Sequence, residues 1–289
     1  MSNMTIGGYI RQLQMIYTNI DELIKANPSI KTDPCKIRLI NWRMGFGAAM
    51  TILLNNAAYL ENINSSIVIE PLWNSNSKNF RYHDASLENS FYEYFTEKNP
   101  KDAEGLKTYT VQSTPHRWAK TPARPKGWAQ DPEHIDYFKR TYKLNADIKD
   151  QVSSFLQKFD RPIYGVHFRS NKQKKIHYPE LKCDVAQVCQ RLSNKHKGSY
   201  FFVATDTKPY LQTAKSIFRD KLLYHRGILR VTSDKYDSMP AINAPCSLRF
   251  GYEILKDAYT LAQCDILYYS KSNVHFLTRL LGDNKNIQY

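Results

Sequence analysis

Residues 162–172 read Pro-Ile-Tyr-Gly-Val-His-Phe-Arg-Ser-Asn-Lys, an apolar run that ends in basic and polar residues. A short apolar run of this kind predicts a buried strand. In an open parallel sheet, ligands bind beyond the carboxyl ends of the strands. Because side chains alternate along a strand, His167 and Arg169 share one face at that end. Arg169 and Lys172 are suited to phosphate, although Lys172 also fits a solvent-exposed basic loop.

Two further apolar strands of the second half end in polar residues. The strand predicted over 200–204 is followed by Thr205-Asp206-Thr207. Asp206 there could orient a loop, meet a ligand or cap the next helix. The strand predicted over 266–269 opens into Ser270-Lys271-Ser272-Asn273 and then a helix. Ser270, Ser272 and the free N–H groups of that helix form a candidate anion site, which is compatible with simple capping.

The first half repeats the strand, turn and helix pattern. A strand at 37–42, a turn at Gly45-Phe46-Gly47, a helix at 48–60 and a strand at 66–70 form a βαβ unit. The turn could let backbone approach a phosphate, or be a tight turn without a ligand. With a proline-rich crossing at 113–132, the pattern predicts two Rossmann-like domains facing a cleft. We expect them at 1–150 and 151–289.

Three local predictions concern the remaining segments. The spacing of apolar residues from Ile10 to Ile24 predicts an amphipathic helix, and a second helical pattern runs over 135–159. The aromatic and polar stretch 73–96 has no clean period. It is interpreted as a long functional loop with a short helix near residues 91–95.

Composition limits the class of protein. The chain has 289 residues and a formal net charge of +14, and residues 151–289 hold 22 Lys/Arg against 11 Asp/Glu. That excess favours an anionic partner (nucleic acid, an acidic membrane surface or a phosphorylated small molecule) or a solubilising basic surface. No apolar stretch is long enough for a membrane span, and no secretory signal is expected at the start. Five scattered cysteines predict reduced thiols in the cytoplasm.

The ordered set of strand ends resembles the GT-B fucosyltransferases, which include the α1,6 and nodulation fucosyltransferases and, more distantly, protein O-fucosyltransferases. The family pattern G-V-H-x-R-x-x-D-K corresponds to residues 165–172, with Asn171 where the family has Asp. An apolar strand ending in A-T-D corresponds to residues 203–206. The pattern D-x₃-L-x₃-D, a strand and a Ser-rich turn correspond to Asp257, Leu261, Asp265 and residues 270–273.

The resemblance implies an inverting glycosyltransferase that moves a sugar, normally fucose from GDP-fucose, to a glycan or glycolipid acceptor without a metal or other cofactor. Arg169 would be the catalytic residue that stabilises the departing diphosphate. The implied donor-binding residues are Gly45, Gly47, His167, Arg169, Lys172, Asp206, Asp257, Ser270, Ser272 and Asn273. In this set Asp257 would accept the two adjacent N–H donors of guanine.

One departure concerns the general base. Where the α1,6 enzymes have a glutamate after the D-K pair, this chain has Gln173, which cannot take a proton. We therefore expect the base in the first domain, with Asp84 and Glu88 as the main candidates beside His83 and Glu93; His177 and Glu180 are the reserve. A donor such as UDP-xylose, a catalytically inactive glycan- or nucleotide-binding protein and a nucleic-acid-binding protein remain alternatives. The absence of a recognition-helix or RNA-binding signature weighs against nucleic acid.

Overall fold

The fold is described from a computed structural model of the chain. The residues whose placement is described are 16–41, 45–73, 82, 86–113, 132–160, 162–169, 184–232, 248–270, 272–283 and 285–288. Several residues singled out above lie outside these ranges: His83, Asp84, Asn171, Lys172, Gln173, His177, Glu180 and Lys271.

Strands and helices alternate along most of the chain. The strands are β1 (Ile16–Tyr17), β2 (Lys36–Asn41), β3 (Val68–Leu72), β4 (Phe95–Glu97), β5 (Thr108–Ser113), β6 (Tyr142–Leu144), β7 (Ile163–Phe168), β8 (Tyr200–Thr205), β9 (Leu222–Leu223), β10 (Ile266–Tyr269) and β11 (Lys285–Gln288). The helices are α1 (Ile20–Ala26), α2 (Phe46–Ile63), α3 (Phe91–Tyr94), α4 (Pro132–Thr141), α5 (Ala146–Leu156), α6 (Val185–Lys195), α7 (Lys208–Phe218), α8 (Leu248–Ala262) and α9 (Asn273–Leu281).

Nine of these strands form two parallel sheets, and β4 and β6 form a two-stranded antiparallel sheet. The first has the order β1-β5-β2-β3, and the second has the order β11-β10-β7-β8-β9. All pairs in both sheets are parallel. The first strand of the second sheet in chain order, β7, lies at its centre. Strands β8 and β9 follow on one side of β7, and β10 and β11 lie on the other side. This is the doubly wound order, and its strand order reverses between β7 and β10.

One hydrophobic cluster contains residues of both halves. Phe46 of α2 and Tyr94 of α3 belong to the same buried cluster as Leu255 of α8 and Phe276 of α9. Farther along α8, Leu261 packs in a different cluster with residues of the second sheet such as Phe202. Helix α8 therefore contacts both halves, so the positions of the two sheets are coupled through it.

The N-terminal segment differs from its sequence prediction. We expected one helix from Ile10 to Ile24, but Ile16 and Tyr17 form β1, paired with Thr110 and Val111 of β5. Helix α1 begins only after Asn19, whose side chain accepts a hydrogen bond from the Glu22 N–H at 2.8 Å. A local capping residue and pairing with a distant strand thus override the helical spacing of the apolar residues.

The single helix predicted over 135–159 is also wrong. Helix α4 ends at Thr141, β6 pairs antiparallel with β4, and α5 starts afresh. Asn145 caps α5 by accepting from the Asp147 N–H at 2.9 Å. The pairing of β6 with β4 joins segments about 45 residues apart. The spacing of apolar residues within one segment cannot predict such a pairing.

The aromatic stretch around residues 73–96 contributes core as well as loop. Trp73, Phe91 and Tyr94 are fully buried. The rings of Trp73 and Tyr94 each lie edge-on to Phe46, with centroids 5.1 Å apart in both pairs. The short helix expected near residues 91–95 is present as α3. In the part of the chain that is described, no helix combines the length and apolar character needed to cross a bilayer.

Candidate donor-binding and active site

The candidate site lies where the strand order of the second sheet reverses. His167 near the end of β7 is the register partner of Tyr269 at the end of β10. Its Nδ1 is 3.5 Å from Oγ of Ser272, the residue that precedes α9. Ser270 is buried, and its Oγ has no hydrogen-bond partner among the described residues. The predicted residues of the first and third strand ends are therefore neighbours.

Two helix N-termini meet beside this strand end. Ser272 caps α9 by accepting from the His275 N–H at 3.2 Å, so the capping interpretation of Ser272 is confirmed. Gly45 occupies the capping position of α2 without a side chain to fill it. Gly47 in the first turn of α2 lies directly against the backbone of Asn273 in the first turn of α9. The partial positive charges of both helices thus point to one region, where they favour an anion.

Arg169 and Asp206 form an ion pair. Arg169 Nη1 lies 2.9 Å from Asp206 Oδ2, with 27% of the Arg169 side chain and 12% of the Asp206 side chain exposed. Helix α7 is preceded by Thr207, not Asp206, and Thr207 provides no side-chain cap. Asp206 therefore does not cap α7. It holds one terminal nitrogen of Arg169, whose planar guanidinium carries further donors for a ligand.

The three residues of the D-x₃-L-x₃-D pattern have separate functions in the fold. Leu261 packs on β7 so closely that a Cβ on Gly165 would lie 3.1 Å from Leu261 Cδ2. Asp265 accepts from the Ile163 N–H at 2.8 Å and so fixes the start of β7. Asp257 is buried in α8, within electrostatic range of the buried Arg230. The spacing of four residues places Asp257 and Leu261 on one face of α8.

Burial dominates the chemistry of Asp257. The side chain is 8% exposed, and desolvation raises the pKa of its carboxyl to about 7, against a smaller lowering by the Arg230 guanidinium. Its Oδ1 has no hydrogen-bond donor among the described residues. Hydrogen bonds from the N–H or O–H groups of a ligand would stabilise this carboxylate, because they would offset the free-energy cost of burying its charge.

Arg230 is a residue of this sheet edge that the sequence patterns did not indicate. Its Nε donates to the carbonyl of Thr205, the last residue of β8, at 3.1 Å, which brings Arg230 to the same sheet edge as Arg169. The available signal was a single arginine inside the apolar run Ile228-Leu229-Arg230-Val231. A charge embedded in such a run is buried only when it has partners.

The described candidates for the base differ in exposure. Glu88 is exposed, whereas Glu93 in α3 is half-buried. The backbone carbonyl of Glu93 accepts from the Tyr252 hydroxyl of α8 at 3.0 Å. Glu93 is therefore next to the helix that carries Asp257, while His83 and Asp84 lie outside the described residues. Within those residues, no group of three or more His, Cys, Asp or Glu side chains is arranged to hold a metal ion.

Comparison with known proteins gives the fold a class. No protein-family model matches the sequence, and no curated protein matches it. The folded chain matches fucosyltransferase NodZ from Bradyrhizobium over 86% of this chain and 94% of that chain, with 16% identity and a TM-score of 0.52. It matches NodZ alpha-1,6-fucosyltransferase co-crystallised with GDP over 86% and 93%, with 16% identity and a TM-score of 0.51. A match to POFUT1 in complex with GDP covers 89% and 99%, with 9% identity and a TM-score of 0.47.

These matches define the architecture. The chain has a fucosyltransferase-like GT-B fold, built from two halves that each contain a parallel sheet. The predicted α/β fold of GT-B type, with two Rossmann-like domains, is therefore confirmed. At 16% identity, the likeness to NodZ establishes the fold and leaves the chemistry to be argued from this chain's own residues.

Proposed function

We propose that the protein is an inverting glycosyltransferase that transfers fucose from GDP-fucose to a glycan or glycolipid acceptor. The observation that carries this proposal is the meeting of the N-termini of α2 and α9 beside the end of β7, in a GT-B fold. Two helix N-termini and an arginine at one sheet edge suit the diphosphate of a nucleotide sugar. NodZ structures soaked with GDP-fucose and co-crystallised with GDP support the choice of donor.

The donor would bind along the carboxyl edge of the second sheet. In this proposal the diphosphate contacts the N–H groups that follow Gly45 and Ser272, with Ser270 and Asn273 adding donors nearby. Lys172, which lies outside the described residues, is proposed as a further donor from its place in the sequence motif. His167 contacts the nucleotide from the end of β7. Asp257, whose buried Oδ1 has no donor among the described residues, accepts the N1–H and N2–H₂ donors of guanine. Asp206 orients Arg169 toward the phosphates through their ion pair.

The proposed reaction is a direct displacement. The acceptor hydroxyl attacks the anomeric carbon of the sugar from the face opposite to the diphosphate. The bond from that carbon to the β-phosphate oxygen breaks, the hydroxyl proton passes to a base of the first half (Asp84 or Glu88, or else His83 or Glu93), and GDP leaves. Arg169 stabilises the charge that builds on the leaving phosphate, the function that a metal ion has in other transferases.

The proposed division of labour follows the two halves. Residues 1–150 would bind the acceptor and residues 151–289 the donor, with α8 linking the two because it packs against both. We also propose a cytoplasmic location. Cys35, Cys189 and Cys264 are buried and form no disulfide among the described residues, as expected of a protein in a reducing compartment.

The first experiment is a thermal-shift series with GDP, UDP and CDP. A ligand that binds only the native state raises the melting temperature by mass action, and we expect GDP to do so most strongly. Transfer from GDP-fucose is then measured with and without EDTA, and equal rates are expected. Stabilisation by UDP but not by GDP would overturn the proposed donor. Strict dependence on Mg²⁺ or Mn²⁺ would overturn the metal-free mechanism.

A further inference from the structure

Arg230 is held rigidly but incompletely by the fold. Its side chain is 6% exposed. Nε donates to the Thr205 carbonyl at 3.1 Å, and Nη1 donates to the carbonyls of His225 at 3.4 Å and Ile228 at 3.2 Å. Nη2 is buried and has no acceptor within the described part of the chain. Three carbonyls therefore fix the guanidinium plane, and one donor nitrogen remains for another group.

Asp257 is the complementary half of the arrangement. Its carboxylate lies close enough to Arg230 for the guanidinium charge to lower its pKa. Even so, the described residues include no hydrogen-bond donor for its buried Oδ1, and Arg230 and Asp257 do not form an ion pair with each other. The Leu229 N–H, next to Arg230, donates to Glu253 of α8 at 3.0 Å, and Glu253 lies one helical turn before Asp257. A buried donor and a buried acceptor with no hydrogen bond therefore lie on two segments that this contact holds together. A buried polar group without a hydrogen-bond partner destabilises the folded state, so a ligand that satisfies both groups would be favoured.

The charges nearby select the chemistry of that ligand. Glu253 is a second carboxylate near Asp257 and disfavours an anion, whereas Arg230 and Lys256 disfavour a cation. A neutral group with a hydrogen-bond acceptor beside a donor fits both side chains. The neighbouring Leu229 is 44% exposed and offers apolar surface for a flat ring. Its backbone N–H is held by Glu253 Oε2 of α8 at 3.0 Å, which fixes this loop against α8.

We propose that Arg230 is a base-selecting residue of the donor site, and that its Nη2 donates to a carbonyl of the base whose adjacent N–H groups are bound by Asp257. This inference rests on the proposed nucleotide-sugar function. Guanine satisfies both residues, since O6 lies beside N1–H and N2–H₂. Adenine presents an amino donor where Arg230 needs an acceptor. Uracil has carbonyls on both sides of its N3–H, so the second carbonyl would face the carboxylate, and cytosine lacks the ring N–H.

The test compares ligands that differ at single atoms of the base. GDP, 6-thio-GDP (a weak acceptor in place of O6) and inosine diphosphate (no N2 amino group) are titrated calorimetrically into the wild-type protein. We expect both analogues to bind about 10- to 100-fold more weakly than GDP, the range that loss of one good base contact produces. Arg230→Met is expected to bind GDP and 6-thio-GDP equally, while still preferring GDP to inosine diphosphate. Asp257→Asn is expected to bind GDP and inosine diphosphate equally, while still preferring GDP to 6-thio-GDP.

Arg226→Met is the matched control, because Arg226 is an exposed arginine of the same loop. This variant should bind GDP more tightly than either analogue, as the wild type does. Equal binding of GDP and 6-thio-GDP by the wild-type protein would overturn the inference while leaving the proposed function intact, and this comparison needs no variant to fold. If Arg230→Lys binds GDP and 6-thio-GDP more weakly than the wild type by the same factor, Arg230 only supports the loop. If the wild-type protein binds no GDP, the proposed function and this inference both fail.

Discussion

Gly47 and Asn273 bring the two halves of the protein into backbone contact. A Cβ built on Gly47 would lie 2.7 Å from the carbonyl oxygen of Asn273 and 2.8 Å from its Cβ. The first turn of α2 and the first turn of α9 are therefore separated by no more than the width of a glycine. Because these turns hold the proposed diphosphate site, their separation sets its geometry.

The first prediction is that Gly47→Ala destabilises the protein. Alanine is preferred to glycine inside a helix by about 1 kcal/mol, but the obstructing atoms belong to backbone that cannot rotate away. Overpacking of this kind costs about 1–3 kcal/mol. We therefore expect the clash to outweigh the gain in helix propensity, so that the free energy of unfolding falls. Chemical denaturation measures the loss, and GDP should stabilise the variant less than it stabilises the wild type. Ala48→Ser, at the half-buried neighbouring position, should change little; an unaltered or raised stability for Gly47→Ala would contradict the close contact.

A second prediction concerns turnover. Arg169→Ala should lower kcat by about 10²–10³, the usual effect of removing one donor that stabilises developing charge. Arg169→Lys should recover part of this loss, since lysine lacks the planar fork of the guanidinium. Asp206→Asn should give a smaller loss, because it removes the charge that orients Arg169 but leaves the arginine itself in place.

The control for Arg169 is Arg191→Ala, which removes an exposed arginine of α6 and should leave kcat unchanged. Steady-state kinetics with varied donor concentration distinguishes the alternatives. An Arg169→Ala variant with normal kcat and only a raised donor KM would mean that Arg169 binds the ground state and does not stabilise the leaving group.

The third prediction identifies the base. Alanine is placed separately at His83, Asp84, Glu88 and Glu93, and transfer is measured beside calorimetric binding of GDP. One variant should lose transfer by about 10²-fold or more while it binds GDP normally, because general-base catalysis contributes about 10²–10⁴. Glu104→Ala, at an exposed acidic position of the same half, should transfer at the wild-type rate. Normal transfer by all four variants would move the base to His177 or Glu180.

The fourth prediction is a pH dependence due to Asp257. Burial raises the pKa of this carboxyl from 3.8 to about 7 despite Arg230 and Lys256, while Glu253 adds to the rise. Between pH 3.8 and about 7, the Asp257 carboxyl is protonated in the folded protein but ionised in the unfolded chain. The contribution of Asp257 to stability is therefore present at low pH and is lost as the pH rises toward about 7. The guanine donors need the ionised carboxylate, so affinity for GDP should rise over the same range.

Two buried histidines act in the opposite direction, because burial lowers the pKa of His225 to about 3 and that of His275 to about 4. The measurement must therefore be a difference between the wild-type protein and Asp257→Asn, in melting temperature and in GDP affinity, from pH 5.5 to 8. The wild type should lose stability relative to the variant as the pH rises, and only the wild type should gain GDP affinity. Identical pH profiles would contradict the raised pKa of Asp257.

The sequence by itself determined the local elements of the second half. The apolar runs of β7, β8 and β10 and the helical spacing of α8 lie in contiguous residues, so periodicity was enough to place them. Polar residues directly after these strands marked the sheet edge, which is why His167, Arg169 and Ser272 were predicted as site residues. The parallel arrangement followed from the alternation of strands and helices.

Only the tertiary structure decided which of these groups meet. Arg169 pairs with Asp206 across 37 positions of sequence, and Gly47 touches Asn273 across 226. Arg230 comes within electrostatic range of Asp257 although it belongs to a loop without a motif. The same holds for β1 and β6, whose strand partners override a helical pattern. Periodicity records which face of an element is buried, whereas a contact between elements depends on how whole sheets and helices pack. That packing is set by the sum of many weak apolar contacts and appears in no single stretch of sequence.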